Sequence, residues 1–209
     1  MSTLATDNFT DTDDVSLPTH NANWATFVPA ELNPMKIRSN GASYSGGSGV
    51  VWNGITWPNN QWAQATIGVV LNQFNGLLLR ADPTNAARNC YIAGQLPGFV
   101  AHNRHCIGRL AAGAWQGTVW VHASQVVQAG DVIYVEIQGT TLKYFCNGVE
   151  LTPGGGVTDS NLASGDVGMY AQDSGTPNLV AWDTFTAGDF DAGGGGAEQF
   201  VKVEIRAAP

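Results

Sequence analysis

Two tryptophans and four other aromatic or polar residues form the strongest candidate binding set in this sequence. Trp62 begins the polar side of a predicted strand that also carries Gln64, and Trp57 lies in the turn before it. Aromatic rings and planar polar groups can hold a sugar ring or a protein partner. We expect one recognition surface on a single sheet, formed by Trp57, Trp62, Gln64, Arg80, Tyr91 and Arg109.

The alternative is that the aromatic residues serve the core. Large aromatic side chains are mostly buried in folded proteins. On that ground we predict core positions for Trp24, Trp52, Trp120 and Trp182. For Trp57 and Trp62 two interpretations stay open, a ligand platform or the cover of a sheet edge.

Acid–base catalysis has little support in the sequence. Hydrolysis of a glycosidic bond needs two carboxyl groups at a defined separation. Glu136 lies on the outward side of a predicted strand, but no carboxylate stands two or four residues from it. The chain also lacks a Gly-x-Ser-x-Gly motif and a phosphate-binding loop. We therefore expect a non-enzymatic protein; a lyase site formed by Tyr91, His105 and Arg109 on adjacent strands is the alternative.

The three cysteines, Cys90, Cys106 and Cys146, each lie within a predicted strand. An odd number argues against a framework of disulfides, and a free cysteine in a strand packs as a small apolar residue. We expect three buried thiols, with a Cys90–Cys106 disulfide as the alternative. Because the chain has no Cys-x-x-Cys, its spacing does not predict a zinc site.

These candidate residues depend on a framework of short strands, of which residues 131–151 are the clearest part. Apolar and polar residues alternate before Gly139 and again after Thr140, as the two faces of a strand require. Asn147-Gly148 then separates two alternating runs, and this dipeptide is the strongest signal for a two-residue hairpin turn. We predict a three-stranded antiparallel meander.

The rest of the chain repeats this pattern. About a dozen short alternating runs are separated by turns rich in Gly, Pro and Asn, and no long window has a helical period. Hydrophobic residues make up 44% of the 209 residues, charged residues only 12%, and 26 residues are Gly. This composition suits an all-β domain with a substantial core. We predict a two-sheet antiparallel sandwich over residues 1–190.

The C-terminal segment has a different composition. Residues 191–197 read as a Gly-rich flexible linker. Residues 198–209 carry an alternating apolar pattern that is typical of a strand. A strand tethered in this way can complete its own sheet or join the edge of a neighbour's, where it would act as an anchor. Both remain open.

Charge and hydropathy exclude some partners. The net charge is −8, and the nine Lys and Arg residues are scattered rather than clustered, so we expect no nucleic-acid partner. No apolar run approaches the roughly 20 residues of a membrane helix, so we expect no membrane insertion. The first ten residues lack the basic and apolar regions of a signal peptide. We expect action inside a cell, or export by another route such as assembly into a virus particle.

Six segments occur in a notable order along residues 6–190: DNF, WAQATI, GLLLRAD, TLKYFCNG, GDVGMYAQ and WDTFTAGDF. Their order and spacing resemble the concanavalin A-like lectin/glucanase superfamily, in particular its laminin-G-like branch. The resemblance implies a jelly roll of two curved antiparallel sheets. Laminarinase-type members carry Glu-x-Asp-x-x-Glu, and none of the five glutamates of this chain belongs to such a motif.

The same resemblance implies a structural Ca²⁺ between the first and last strands. Asp7 and Asp183 are the matching acidic positions. Calcium takes about six to eight oxygen ligands, so loop carbonyls would supply the rest.

The sequence is also similar to small virion proteins of tailed bacteriophages, in which such domains are exposed on capsids or tails. This resemblance implies a capsid decoration or tail-associated protein at the virion surface. The C-terminal strand would anchor it to virion proteins or to copies of itself, and the sandwich would face outward, towards host glycans. The alternative is a polysaccharide-active enzyme or its carbohydrate-binding module.

Overall fold

The computed structural model describes residues 1–27, 35–43, 47–70, 75–82, 89–95, 104–112, 114–172 and 180–190. The elements in chain order are β1 (Ser2–Asp7), α1 (Leu17–His20), β2 (Trp24–Thr26), β3 (Lys36–Arg38), β4 (Gly41–Ser43), β5 (Gly47–Trp52), β6 (Gln61–Ile67), β7 (Asn75–Ala81), β8 (Cys90–Gln95), β9 (Arg104–Ala111), β10 (Ala114–Val126), β11 (Val132–Gln138), β12 (Thr141–Cys146), β13 (Val149–Glu150), β14 (Val157–Thr158), β15 (Asp166–Gln172) and β16 (Val180–Asp189).

The strands form two sheets. Sheet one has the order β13-β12-β11-β6-β16-β4-β3, with β1 pairing β16 and β14 pairing β12. Sheet two has the order β10-β9-β8-β7-β15-β5-β2. All strand pairs found among the described residues are antiparallel. The predicted all-β, two-sheet sandwich is confirmed, whereas the predicted linker and C-terminal strand lie outside the described residues.

The predicted meander is present as β11, β12 and β13. Strand β11 pairs with β12 from Ile133 opposite Cys146 to Gln138 opposite Thr141. Asn147 and Gly148 have φ angles of 51° and 81°, the left-handed conformation that a type I′ turn requires at both central positions. This turn joins β12 to β13 and sets their register, in which Cys146 lies opposite Val149.

The core lies between the sheets, filled by alternate residues of the strands. Ala63 and Ile67 of β6 and Val135 of β11 are at most 1% exposed and face this core. Trp24 of sheet two meets Phe185 of sheet one with a centroid separation of 4.9 Å, which joins the two sheets. A fully buried large apolar side chain contributes roughly 1.5–3 kcal/mol. Among the described residues, no helix has the length and apolar content needed to span a membrane.

Three local features complete the fold. Strand β1 ends at Asp7, because the Asp7 carboxylate accepts the Phe9 N–H at 2.8 Å and Phe9 has a φ of 54°. Strand β4 lies within the Gly- and Ser-rich residues 40–49. Trp115 lies in β10 with its ring directly over Gly108.

The tryptophan and cysteine predictions are largely confirmed. Trp24, Trp52 and Trp182 are buried, and Trp120 is half-buried against the core. All three cysteines are buried, and none forms a disulfide. Cys90 and Cys106 pack on the side of sheet two that faces away from the core, whereas Cys146 faces the core.

Candidate functional site

The outward positions of β6, β11 and β12 form a regular grid of aromatic and polar side chains. The register places Trp62 beside Glu136 and Glu136 beside Lys143 in one row. The neighbouring row consists of Gln64, Tyr134 and Phe145. Because the alternate residues of these strands lie in the core, both rows face away from it. These six residues are called the aromatic face below.

The three rings of the aromatic face form a continuous strip across three strands. Trp62 and Tyr134 are stacked, with centroids 5.8 Å apart and planes inclined by 30°. Phe145 meets Tyr134 edge-on at 5.3 Å and 71°. Such aromatic pairs contribute about 0.5–1.5 kcal/mol beyond their buried area. The strip is therefore a packed aromatic cluster, of which Phe145 is the most accessible ring.

A polar row runs beside the strip. The Tyr134 hydroxyl donates to Glu136 Oε2 at 2.9 Å, and Lys143 Nζ lies 3.5 Å from Glu136 Oε1. Burial raises the pKa of Tyr134, and the Glu136 charge raises it further, so the phenol stays a neutral donor. Glu136 is the one carboxylate at the outward positions of β6, β11 and β12, so these strands offer no carboxylate pair.

Access to the aromatic face is greatest at β12. Trp62 and Tyr134 are each 7% exposed. The Trp62 indole N–H donates to the Asp189 carbonyl at 3.2 Å, and Met1 lies near the Tyr134 hydroxyl. By contrast, Phe145 is half-buried and the Lys143 side chain is 33% exposed. A ligand would therefore first meet the β12 side.

The six predicted binding residues do not share one surface, and that part of the prediction is wrong. Trp62 and Gln64 lie in sheet one, whereas Arg80, Tyr91 and Arg109 lie in sheet two. The reason is topological, because β6 and β7 are consecutive in the chain but belong to different sheets. Trp57 joins neither group: it is buried in the core, and its indole N–H donates to the Trp52 carbonyl.

Arg80 is a buried clamp on three loops. It has a φ of 49° and lies in a bulge between β7 and β15, so its side chain does not point outward as predicted. The guanidinium donates to the carbonyls of Asn59, Gly139 and Leu162 at 2.6–3.1 Å. Its backbone N–H donates to Gln61 Oε1 at 2.7 Å. Arg80 thus stabilises the loops at one end of the sandwich.

Tyr91 and Arg109 meet at Asp159. The Tyr91 hydroxyl donates to Asp159 Oδ1 at 2.7 Å, and Arg109 Nη1 lies 3.2 Å from Asp159 Oδ2. Burial raises the pKa of Tyr91 to about 12. Burial also acts to raise the pKa of Asp159, but hydrogen bonds from Tyr91 and Asn161 outweigh it and lower that pKa, so the carboxylate stays ionised. These contacts hold the loop after β14.

The lyase alternative does not assemble. Tyr91 is the cross-strand partner of Arg109, but His105 is the partner of Gln95, further along the same pair of strands. His105 instead contacts Tyr144 in the core. The three residues therefore do not converge on one site.

A cavity of ≈380 Å³ adjoins Arg80. It is lined by Arg80, Asp82, Asn89 and the 161–165 loop. Because the Arg80 guanidinium already donates to loop carbonyls, its charge is directed into the protein rather than into this cavity.

The predicted calcium residues are not placed side by side. Asp7 is buried, and its carboxylate accepts hydrogen bonds from the Phe9 N–H at 2.8 Å, from His20 Nε2 at 3.0 Å and from the Trp24 indole N–H at 2.8 Å. Asp183 is exposed, and the strand partner of Asp7 is a different residue of β16. Calcium at these positions remains a prediction.

His20 lies between the carboxylates of Asp7 and Asp11. Its two ring nitrogens each lie 3.0 Å from a carboxylate oxygen, of Asp7 and of Asp11. Burial lowers the pKa of His20, but the two carboxylates outweigh burial and raise it. The adjoining surface cavity of ≈340 Å³ is lined by residues of β1, the following turn and α1. An imidazolium at this position neutralises carboxylate charge that a bound cation would otherwise neutralise.

The sequence predicted two of the six residues of the aromatic face as binding residues. Trp62 and Gln64 were candidates from the start, but Tyr134, Lys143 and Phe145 were not. Their alternation in the meander already placed them outward. What was missing was the pairing of β11 with β6, which brings the meander beside Trp62.

Comparisons with known proteins find related structures but no related sequence. No family model and no curated protein match the chain. The carbohydrate-binding module CBM66 from Bacillus subtilis is 17% identical, covering 79% of this chain and 90% of that chain, with a TM-score of 0.52. The Bacillus licheniformis beta-glucanase is 9% identical, covering 90% of this chain and 98% of that chain, with a TM-score of 0.52.

A third match comes from a study of endo-acting O-glycanases that members of the human gut microbiota express to initiate mucin breakdown. It is 10% identical, covers 91% of this chain and 100% of that chain, and has a TM-score of 0.57. At such identities the agreement shows the fold alone. Together with the two antiparallel sheets, it shows that the chain has a jelly-roll sandwich fold like that of these three structures.

Proposed function

We propose that this protein is a non-enzymatic recognition protein that binds glycans through the aromatic face. The observation that carries the proposal is the strip of Trp62, Tyr134 and Phe145 with a polar row beside it. Binding sites for small ligands combine apolar surface with a few fixed polar groups. The names of the compared structures, a carbohydrate-binding module and two glycan-cleaving enzymes, support this class of ligand.

The chemistry of the face suits a sugar. The apolar C–H face of a sugar ring packs on aromatic rings, while its hydroxyls need donors and acceptors at the rim. Lys143 and the Gln64 amide supply donors, and Glu136 supplies an acceptor. The ion pair of Glu136 and Lys143 fixes the position of both groups.

The non-enzymatic part of the proposal is supported by the surroundings of Glu136. Its partners are a phenol and an ammonium group, not a second carboxylate. Retaining and inverting glycosidases both need two carboxyl groups across the bond that they cleave.

A glycan array followed by calorimetry on the strongest ligand tests the proposal. Phe145→Ala should weaken binding roughly 2- to 10-fold, the worth of one aromatic contact. Val126→Ala is the control, because Val126 is an apolar residue accessible to solvent that lies in β10 of the other sheet. An array without any binding, or equal affinity of Phe145→Ala and the parent, would contradict the proposal.

A reducing-end assay on the same polysaccharides tests the enzymatic alternative. We expect no new chain ends. Release of ends that Glu136→Gln abolishes would show a polysaccharide-active enzyme instead.

The proposed setting is a bacteriophage particle, as a capsid decoration or tail-associated protein. This part is supported by the sequence resemblance and by the strand pattern of the C-terminal segment, which lies outside the described residues. Deleting residues 199–209 should leave a folded sandwich that no longer joins particles or oligomers. If the truncated chain still joins particles or oligomers normally, the C-terminal segment does not act as an anchor.

A further inference from the structure

A buried group of three potential metal ligands lies between the sheets, away from the aromatic face. Among the described residues, His105, Asp131 and Cys146 form the one group of three His, Cys, Asp or Glu ligand atoms that all lie within 4.8 Å of one another. They come from β9 of sheet two, the turn before β11 and the end of β12 in sheet one. We propose that this group is a divalent transition-metal site, with Zn²⁺ as its best-fitting ion, that ties the two sheets together.

The state of His105 is the first argument. Its side chain is fully buried, and within the described part of the chain its Nε2 has no hydrogen-bond partner. Nε2 lies 3.8 Å from Asp131 Oδ2, too far for a hydrogen bond. A buried polar atom without a partner costs about 1–3 kcal/mol, so such atoms are rare without a ligand or water.

The spacing is the second argument. Zinc binds nitrogen and oxygen at about 2.0–2.2 Å and sulfur at about 2.3 Å, so neighbouring ligand atoms of a tetrahedral site are roughly 3.3–3.7 Å apart. The separation of 3.8 Å between Nε2 and Oδ2 is close to that value. All three ligand atoms lie within 4.8 Å of one another, so shifts of about 1 Å or less bring them to tetrahedral spacing.

The contacts of the three residues with their neighbours support the same interpretation. The Tyr144 hydroxyl lies 3.0 Å from His105 Nδ1 and fixes the ring, leaving Nε2 directed at Asp131. The Gln128 N–H and the Asn147 amide hold the Asp131 carboxylate at 2.7 and 2.8 Å. The His105 and Asp131 side chains are thus held in position before an ion binds.

Charge favours a divalent ion. A thiolate, a carboxylate and a neutral imidazole around a doubly charged cation sum to zero, which is the condition for burial. Binding forms the metal–sulfur bond and releases the thiol proton of Cys146 to solvent. Mixed sulfur, nitrogen and oxygen donors suit zinc better than magnesium or calcium.

The site is buried but lies next to an exposed turn. Cys146 is 2% exposed, while Asp131 is 8% exposed and contacts Asn147 in the exposed hairpin turn. An ion can enter from this turn, and water can complete the fourth position, as in zinc sites with three protein ligands. Such ligands, far apart in sequence, do not form the Cys-x-x-Cys spacing of common zinc motifs.

Metal content and cobalt spectroscopy test the site. The full chain, stripped with a chelator and dialysed against Zn²⁺, should retain one equivalent by elemental analysis. The Co²⁺ form should show thiolate-to-cobalt charge-transfer absorption. Cys146→Ala should lose that absorption and bind Zn²⁺ at least 10-fold more weakly. Cys90→Ala, which removes a buried thiol from the opposite side of sheet two, should behave like the parent.

Three results would overturn the proposal: no retained zinc in the parent, no thiolate absorption in its Co²⁺ form, or equal metal affinity in Cys146→Ala. If Cys146→Ala does not fold, the spectra of the parent and Cys90→Ala decide the question without it. Asp131→Asn then provides a second variant of nearly the same shape, and it should also bind Zn²⁺ more weakly.

Discussion

Replacement of Arg80 by alanine should destabilise the sandwich more than any other single substitution of an arginine in the described part of the chain. Arg80 was a ligand candidate by sequence, but its guanidinium donates to the carbonyls of Asn59, Gly139 and Leu162. The residue is 3% exposed. Arg80→Ala therefore removes the partner of three loop carbonyls at once.

The expected loss follows from those contacts. A hydrogen bond to a charged group contributes about 1.5–3 kcal/mol, and an acceptor left without a partner costs about 1–3 kcal/mol. Water that enters the space left by the side chain will donate hydrogen bonds to some of these carbonyls. We expect a loss of about 3–5 kcal/mol in the free energy of unfolding. For a chain of this length that lowers Tm by roughly 6–20 °C.

Urea denaturation followed by tryptophan fluorescence measures this loss. Arg109→Ala is the matched control: Arg109 forms one ion pair, with Asp159, which keeps its bonds from Tyr91 and Asn161. We expect about 1 kcal/mol for the control. If Arg80→Ala lowers the free energy of unfolding by less than about 1 kcal/mol, Arg80 does not stabilise the loops as we infer. If that variant also kept full stability but lost ligand binding, the original assignment of Arg80 as a ligand residue would be restored.

Three further predictions address local structure. Gly148→Ala should lower the free energy of unfolding, measured by urea denaturation, by about 1 kcal/mol, because Gly148 has a φ of 81°. Gly154→Ala is the control: Gly154 has open space around it, and the change should be less than about 0.5 kcal/mol. Gly108→Ala should cost about 1–3 kcal/mol and alter the near-UV circular dichroism, since its methyl group would displace the Trp115 ring. The pKa of His20 is raised in the folded state, so its contribution to stability is complete below pH 6.5 and is lost as pH rises through the raised value. The stability advantage of the parent over His20→Gln should therefore shrink as pH rises through the raised value; a difference that does not change with pH would contradict this.

The strands and their faces were predictable because they depend on local pattern. The alternation in residues 131–151 and the Asn147-Gly148 turn were found in advance and are confirmed. The inward side of β6 was also correct, with Ala63 and Ile67 in the core. A period of two is a property of the strand itself and needs no knowledge of its neighbours.

The grouping of the side chains was not predictable in the same way. Arg80 was expected to point outward, but a bulge between β7 and β15 turns it into the loops. His105 was a candidate for a lyase site with Tyr91 and Arg109, but it lies in the core against Tyr144. Neither outcome has a local sequence signal, because each depends on what a distant strand presents.

By itself, then, the sequence determined an all-β chain, its principal hairpin and the inward and outward sides of its main strands, since turn chemistry and alternation act over a few residues. The tertiary structure alone decided which strands are neighbours. Pairing of β6 with β11 created the aromatic face, and the crossing of the chain to sheet two separated Arg80, Tyr91 and Arg109 from it. Packing of the sheets brought His105, Asp131 and Cys146 together. Each of these contacts joins segments that are far apart in sequence. The local pattern of residues does not show which segments will pack together, and only the folded chain does.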